Sequence, residues 1–163
     1  LIAAAQQVVT RAPQVKFLLV GDGVLRSELE AEIARRRLTN HFHFAGLVPP
    51  AEVPTLIGAM DLLVHTSLRE GLARALPQAL LAAKPAVSYD IDGAREVVVS
   101  GETGILVPPR DIAALTDALV TLAQDVALRE RLGAEGRRRC ETRFAHREMT
   151  RRIRSLYEEL LRK

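Results

Sequence analysis

The chain has 163 residues, of which 48% are hydrophobic and 26% are charged, a composition typical of one soluble globular domain with a substantial core. Only 4% of the residues are aromatic and Trp is absent, which argues against a protein that stacks bases or sugar rings on aromatic platforms. The single cysteine, Cys140, excludes an internal disulfide framework and a cysteine-based zinc site. No apolar run is long enough to span a bilayer and no signal peptide is visible, so we expect a cytoplasmic location.

Strand and helix patterns alternate along the chain. The predicted strands cover 15–20, 41–45, 61–66, 85–89 and 105–107. The predicted helices cover 1–10, 25–36, 50–57 and 72–83, with a brief helix after Glu96, a helix capped by Asp111, a short helix that ends near Gly133, and a long amphipathic helix from Ala145. This alternation predicts one domain, 1–163, with a doubly wound α/β fold, in which helices cover both faces of a parallel sheet.

The segment from Asp61 to Glu96 is a predicted βαβ unit, and we expect the rest of the domain to be arranged around it. Its first strand ends at Thr66, and a polar stretch follows in which Glu70 stands just before the helix. In open α/β sheets, ligands bind beyond the carboxyl ends of the strands. The sequence therefore predicts a binding site at this edge, with Glu70 in it.

A glycine turn, Gly21-Asp22-Gly23, follows a predicted strand and precedes a predicted helix, which is the setting of a dinucleotide-binding loop. That fingerprint needs a third glycine, or an alanine, at the position of Arg26, whose side chain is too bulky for close helix–strand contact. A P-loop motif is absent from the sequence. The two glycines therefore form either an anion-binding turn or a plain turn without a ligand.

The spacing of the histidines in the sequence does not predict a metal site. His41, His43 and His65 lie on or beside predicted strands, and their spacing does not match a metal-ligand pattern. We therefore predict structural roles for them and no bound metal.

Basic residues are concentrated near the C-terminal end. They are Arg137, Arg138, Arg139, Arg143, Arg147, Arg151, Arg152, Arg154, Arg162 and Lys163. One interpretation is a solvated helix face neutralised by Glu141, Glu148, Glu158 and Glu159. A second is peripheral binding to an anionic membrane surface at the inner face of the membrane. A third, nucleic-acid binding, conflicts with the low aromatic content, so we predict no nucleic-acid partner.

Four motifs occur in order along the chain. They are FLLVGDG at 17–23, FAGLV at 44–48, SLREGL at 67–72 and GILVPP at 104–109. Together they resemble the C-terminal, donor-binding half of GT-B glycosyltransferases of the glycosyl transferases group 1 family, which is GT4-like and retaining. The resemblance covers essentially the whole chain, and it implies transfer of a hexose from a UDP- or GDP-sugar to a hydroxyl acceptor.

The resemblance also implies a nucleotide-sugar site at the ends of the strands. Glu70 matches the family glutamate that binds hydroxyls of the donor sugar, and it is the candidate catalytic residue, since charge-assisted hydrogen bonds are the strong ones. The other residues expected to bind the donor are Gly21 and Gly23 in the first turn, Gly46, Leu47 and Val48 around the base, Gly71 and Leu72 beside the sugar and diphosphate, and Gln78 at the ribose. No metal or other cofactor is expected.

The match to the family is incomplete. Gln78 stands where the family repeats a glutamate, so the ribose contact keeps an acceptor but loses its charge. Pro77 lacks an N–H and is tolerated only in a first turn, which predicts that the helix begins late, near 74–76. Asp92-Gly93 replaces a usual Gly-Gly. These departures leave open a degenerate GT-B-like domain that serves as a binding or assembly module without a donor site.

Two parts of the family fold are not found in the sequence. One is the N-terminal, acceptor-binding domain. The other is the first strand of the donor half, which in the family lies mid-sheet between the strands here at 15–20 and 61–66. We therefore expect a fragment of a two-domain enzyme that is inactive alone. We also expect a gap in the sheet, filled by a rearranged segment or by a neighbouring molecule through self-association.

Overall fold

The computed structural model describes residues 1–144 and 146–162. Its helices are α1 (Ile2–Arg11), α2 (Arg26–Arg35), α3 (Val53–Ala59), α4 (Ala75–Leu81), α5 (Ala94–Val97), α6 (Ile112–Gln124), α7 (Val126–Arg143) and α8 (His146–Leu161), and a 3₁₀ turn covers Thr39–His41. Its strands are β1 (Phe17–Val20), β2 (Phe42–Gly46), β3 (Leu63–His65), β4 (Ala86–Tyr89) and β5 (Gly104–Val107).

The strands in the described part of the chain are parallel to their partners and form two sheets. β1 pairs with β2, and β4 lies between β3 and β5. Ala86 of β4 is opposite Leu63 of β3 on one side and Gly104 of β5 on the other. Because parallel strands place their carboxyl ends at one edge, the loops after β3, β4 and β5 share an edge. The predicted α/β fold with parallel strands is confirmed.

A groove separates the two strands at the facing edges of the sheets, β1 and β3. It has a volume of about 460 Å³ and is lined by residues 17–19 of β1 and residues 63–64 of β3, with Leu119 and Ala123 of α6. Within 1–144 and 146–162, no strand is hydrogen-bonded between β1 and β3, so the predicted gap in the sheet is confirmed. Each of these strands therefore has one edge without a partner strand.

The helix α6 lies over the core and begins at the predicted cap. Asp111 Oδ1 accepts a hydrogen bond from the Ala114 N–H at 2.9 Å, which satisfies one of the free donors of the first turn. Leu115 is buried, and α1 packs on α6 with Ala4 and Ala5 almost fully buried. The small alanine side chains allow the two helices to approach closely.

The helix α7 is longer than the sequence predicted. We expected a short helix that ends near Gly133, but the helix continues to Arg143, so that prediction was wrong. A Cβ at Gly133 would lie 2.0 Å from the carbonyl oxygen of Ala83, and a Cβ at Gly136 would lie 2.7 Å from a methyl carbon of Leu80. These glycines therefore allow α7 to pack against α4 and the turn after it, and they do not end the helix.

The first residues of α4 and α5, the two helices beside the predicted site, can be compared with the sequence prediction. α4 begins at Ala75, so Pro77 is its third residue, and the expected late start is confirmed. α5 begins at Ala94 and contains Glu96, so the expected start after Glu96 was wrong. The chain turns earlier because Asp92 has a φ of +40°, which reverses the backbone just before the helix.

The last helix, α8, is amphipathic and leaves its apolar face exposed. Met149, Ile153, Leu156, Tyr157 and Leu160 are about half exposed or more. The predicted long helix is confirmed, although Ala145, where we expected it to begin, and Lys163 lie outside the described residues.

Five of the ten basic side chains near this end are paired with acidic neighbours among the described residues. Arg137 pairs with Glu141, Arg138 with Glu135, Arg151 and Arg152 with Glu148, and Arg154 with Glu158. The two arginines on Glu148 lower the pKa of that carboxyl to about 2. This pairing is what a solvated helix face requires. In the described part of the chain, no helix is both long and apolar enough to cross a membrane.

Candidate functional site

Glu70 lies in the loop between β3 and α4, beyond the carboxyl end of β3. Its side chain is 42% exposed, so the carboxylate is accessible to a ligand. The Ser67 hydroxyl donates a hydrogen bond to Glu70 Oε1 at 3.3 Å. Nε2 of His65, the last residue of β3, lies 3.7 Å from the same oxygen. The hydroxyl of Ser67 thus holds one oxygen of the carboxylate, and His65 at the strand end lies beside it.

The loop after β4 holds the backbone of the Glu70 loop. The Glu70 N–H donates to Asp92 Oδ2 at 3.0 Å, and the Gly93 N–H donates to the Gly71 carbonyl at 3.0 Å. A Cβ at Gly93 would lie only 2.4 Å from the Gly71 oxygen, so this close approach requires glycine. Two loops that follow neighbouring strands are therefore joined at the position of Glu70.

Beyond Glu70 the backbone offers free donors. Among the residues that the structure describes, the N–H groups of Gly71 and Leu72 donate to no acceptor. Gly71 is exposed, and Leu72 is 42% exposed. Unpaired N–H groups at an exposed loop favour an anion or a carbonyl oxygen as their ligand.

His65 lies under this loop and contacts the neighbouring strand. Its side chain is only 12% exposed, and its Nδ1 lies 3.4 Å from Ser88 Oγ in β4. Ser88 is fully buried, and its hydroxyl donates to the Tyr89 carbonyl at 3.0 Å. The expected structural role fits His41 better, since Nδ1 of His41 lies 2.8 Å from the Val15 carbonyl oxygen.

A second group of predicted residues lies at the carboxyl ends of β1 and β2, in the other sheet. The Gly21 N–H donates to the Gly46 carbonyl at 2.9 Å and joins the two strand ends. Gly21 has a φ of +125° and Gly46 a φ of +69°, conformations that favour glycine. Gly23 donates its N–H to Asp22 Oδ1 at 2.8 Å, which closes the turn.

The side chain of Arg26 covers this second group. Its guanidinium binds Asp22 at 3.0 Å and Glu30 at 2.9 Å, and it lies 5.3 Å from the centroid of the Phe44 ring. The Gly23 N–H and the Arg26 guanidinium lower the pKa of Asp22. A Cβ at Gly46 would lie 3.7 Å from Nη1 of Arg26, so this side chain lies against the end of β2.

The remaining predicted residues lie near these two groups without joining them. Leu47 is 83% exposed and Val48 is half-buried, in the loop after β2. Gln78 is exposed on α4, directly after Pro77. The structure thus brings Glu70, Gly71 and Leu72 together with the loop after β4, and Gly21, Gly23 and Gly46 together at the other sheet.

Three residues that are not among the predicted donor-binding residues contact these groups. Asp92 binds the Glu70 backbone, His65 lies beside the Glu70 carboxylate, and Arg26 covers the Gly21 turn. Asp92 follows a strand end and replaces a family glycine, a signal that could have identified it. Within the described residues, no group of three His, Cys, Asp or Glu side chains could hold a metal ion.

Comparison of the chain with protein families identifies similar sequences among glycosyltransferases. The family model for "Glycosyl transferases group 1" matches residues 1–139. A relative from Streptomyces kanamyceticus, alpha-D-kanosaminyltransferase, is 31% identical over 131 residues, which are 80% of this chain and 34% of that protein. Phosphatidyl-myo-inositol mannosyltransferase of Mycobacterium leprae is 36% identical over 123 residues, which are 75% of this chain and 32% of that protein.

Solved structures include a similar fold with nucleotide and sugar bound. HepE of Anabaena, crystallised in complex with UDP and glucose, superposes with a TM-score of 0.87 at 27% identity, covering 97% of this chain and 44% of HepE. Sucrose-phosphate synthase of Thermosynechococcus elongatus gives a TM-score of 0.88 at 26% identity, covering 98% of this chain and 42% of that one. This chain thus spans about a third of the length of those two curated relatives.

Proposed function

This chain belongs to the glycosyl transferases group 1 family, with the fold of a GT-B donor half, and we propose that it binds the nucleotide-sugar donor of a hexosyltransferase. In this proposal the complete protein moves a hexose from a UDP- or GDP-sugar to a hydroxyl acceptor, with retention of the anomeric configuration. The relatives are named as glycosyltransferases, and HepE was crystallised with UDP and glucose, which supports a sugar nucleotide as the ligand.

The placement of Glu70 is the single observation that carries this proposal. Its accessible carboxylate stands at the shared edge of the β3-β4-β5 sheet, where open α/β sheets bind ligands. The loop after β4 holds its backbone, and Ser67 and His65 contact only one of its oxygens in the described structure. A carboxylate held this way can accept hydrogen bonds from hydroxyls of the donor sugar.

The nucleotide part of the donor is assigned to the neighbouring loops. The free N–H groups of Gly71 and Leu72 would donate to the sugar and diphosphate, and Gln78 would contact the ribose. The base would lie against the strand ends of the other sheet, near Gly21, Gly23, Gly46, Leu47 and Val48. Catalysis in this arrangement is electrostatic: donors stabilise the negative charge that develops on the leaving diphosphate, and Glu70 orients the sugar.

Binding measurements on this chain test the proposal. We expect calorimetric titration with UDP-glucose or GDP-mannose to show binding, and Glu70→Ala to weaken it by about 10- to 100-fold, the effect of one or two charge-assisted hydrogen bonds. Binding of UDP or GDP without sugar should change little, because Glu70 is assigned to the sugar alone. Glu130→Ala removes a carboxylate from the exposed surface of α7 and is the matched control.

A second candidate is a binding or assembly module without a donor site. The observation in its favour is the uncharged, exposed Gln78, which stands where the family has a ribose-binding glutamate. If the chain binds neither nucleotides nor nucleotide sugars at millimolar concentration, the donor-site proposal is wrong and the function as a binding or assembly module is supported.

One exposed surface, the apolar face of α8, indicates what the partners of the chain are. We propose that the exposed apolar face of α8 packs against an N-terminal, acceptor-binding domain in the complete protein, because five apolar side chains on one helix face need a partner. Without that domain we expect no transfer activity. Peripheral binding at a cytoplasmic, anionic membrane surface would use the same helix, and a vesicle-binding assay distinguishes the two.

A further inference from the structure

We propose that His65 is a positioning residue that holds the Glu70 carboxylate, and that it does so in its protonated form. The inference rests on the proposed donor site and adds a residue to it that the sequence analysis had placed among the structural histidines. Three observations carry it: the position of the ring between two polar partners, the single proton of the Ser88 hydroxyl, and the exposure of Glu70.

The ring has one polar partner on each nitrogen. Nδ1 lies 3.4 Å from Ser88 Oγ, and Nε2 lies 3.7 Å from Glu70 Oε1. The ring belongs to the last residue of β3, and Ser88 is its register partner in β4, so the sheet itself fixes this orientation. With 12% of its side chain exposed, His65 cannot turn freely to other partners, whereas Glu70 is 42% exposed and can move.

The Ser88 hydroxyl determines which ring nitrogen carries the proton. A hydroxyl has one proton, and that of Ser88 is donated to the Tyr89 carbonyl at 3.0 Å. Ser88 Oγ can then only accept, so the hydrogen bond to it requires a proton on Nδ1 of His65. In a neutral imidazole the other nitrogen, Nε2, is unprotonated and directs a lone pair at the Glu70 carboxylate.

The consequence is a contact that depends on charge. With a neutral ring, Nε2 of His65 and Oε1 of Glu70 are two facing acceptors, so His65 adds no hydrogen bond to the one that Ser67 donates to this oxygen. With a protonated ring, Nε2–H donates to Glu70 Oε1 and forms a charge-assisted pair. Asp92, on the loop after β4, is a further carboxylate joined to the pair, because it accepts the Glu70 N–H at 3.0 Å.

Calorimetry at several pH values tests this positioning role on the chain as it stands. UDP-glucose and UDP are titrated into the wild type, His65→Gln and Glu70→Gln between pH 6 and pH 8, the range in which imidazole side chains change charge. We expect the wild type to bind UDP-glucose about tenfold more tightly than His65→Gln at pH 6, and about equally at pH 8. Comparing the two proteins at each pH cancels any titration of the ligand itself.

The controls separate positioning from folding and from the donor site. His43→Gln, a substitution at an exposed histidine of β2, should leave the wild-type profile unchanged. UDP alone should bind equally well to the wild type and to His65→Gln. In Glu70→Gln, the further change His65→Gln should have no effect, because the partner charge is already gone.

The possible results are distinct. A wild-type to His65→Gln ratio that does not change with pH overturns the role of the protonated ring. A ratio that persists in the Glu70→Gln background overturns the positioning role, and either result leaves the donor site intact. Failure of the wild type to bind UDP-glucose or UDP overturns both proposals. Nitrogen NMR of the neutral ring is independent of any variant: a proton on Nδ1 supports the inference, and a proton on Nε2 overturns it.

Discussion

Asp92 combines two properties that few residue types share. Its φ of +40° lies in the left-handed region, which Asp and Asn tolerate better than most residues, and its carboxylate accepts the Glu70 N–H. The family glycine at this position would supply the conformation but not the acceptor. Asp92 therefore gives the Glu70 loop a hydrogen bond that a glycine could not provide.

Substitutions at Asp92 should separate conformation from hydrogen bonding. Asp92→Asn keeps both and should bind UDP-glucose about as well as the wild type. Asp92→Gly keeps the conformation but loses the hydrogen bond. Asp92→Ala keeps neither, and it should lower the free energy of unfolding by about 1–3 kcal/mol through the strained φ and the lost hydrogen bond. Thermal unfolding and calorimetry measure the two effects. Equal behaviour of Asp92→Asn and Asp92→Ala would show that the hydrogen bond and the conformation do not matter.

At the scale of elements, packing decided the length of α7. Read alone, Gly133 resembles a helix end, because glycine is common just past helix C-termini. In the structure it lies inside α7, where the helix passes so close to the Ala83 carbonyl that no side chain fits. Leu76 and Leu80 of α4 and Cys140 of α7 belong to the cluster buried along this contact. The contact joins residues about fifty positions apart, which a local pattern does not contain.

Adding a methyl group to Gly133 should therefore destabilise the protein, although alanine is the better helix former. We expect Gly133→Ala to lower the free energy of unfolding by about 1–3 kcal/mol, because its Cβ would meet backbone that cannot move aside cheaply. Gly58→Ala, in α3 with open space around the added carbon, should stabilise by up to about 1 kcal/mol. Urea unfolding checks both. Stabilisation by Gly133→Ala would contradict the close contact between α7 and the turn after α4.

At the scale of the whole molecule, the groove between β1 and β3 is the main incomplete feature. β1 and β3 line a groove of about 460 Å³, and within the described residues each of them has one edge without a partner strand. We propose that an extended segment fills this groove, and that in its absence copies of the chain associate there, because open strand edges template pairing.

Hydrogen exchange at two protein concentrations tests this proposal. Backbone amides of β4, which has a partner on both sides, should exchange slowly at any concentration. Amides of β1 and β3 that face the groove should exchange faster in dilute protein, and they should become protected as concentration rises if copies associate through the groove. Sedimentation gives the matching oligomeric state. Association without protection of β1 and β3 would place the contact elsewhere, with the α8 face as the first surface to examine.

The sequence by itself determined the order of strands and helices, the parallel α/β class, the gap in the sheet, the Asp111 cap and the late start of α4, but not the bounds of α5 and α7. Each of these follows from local composition, from proline and capping chemistry, or from a motif order spread over the whole chain. The tertiary structure alone decided that Gly133 continues a helix, that Asp92 holds the Glu70 loop, and that His65 lies between Ser88 and Glu70. These contacts join residues from neighbouring strands and loops, and their distances depend on strand register and side-chain packing, which no single stretch of sequence contains.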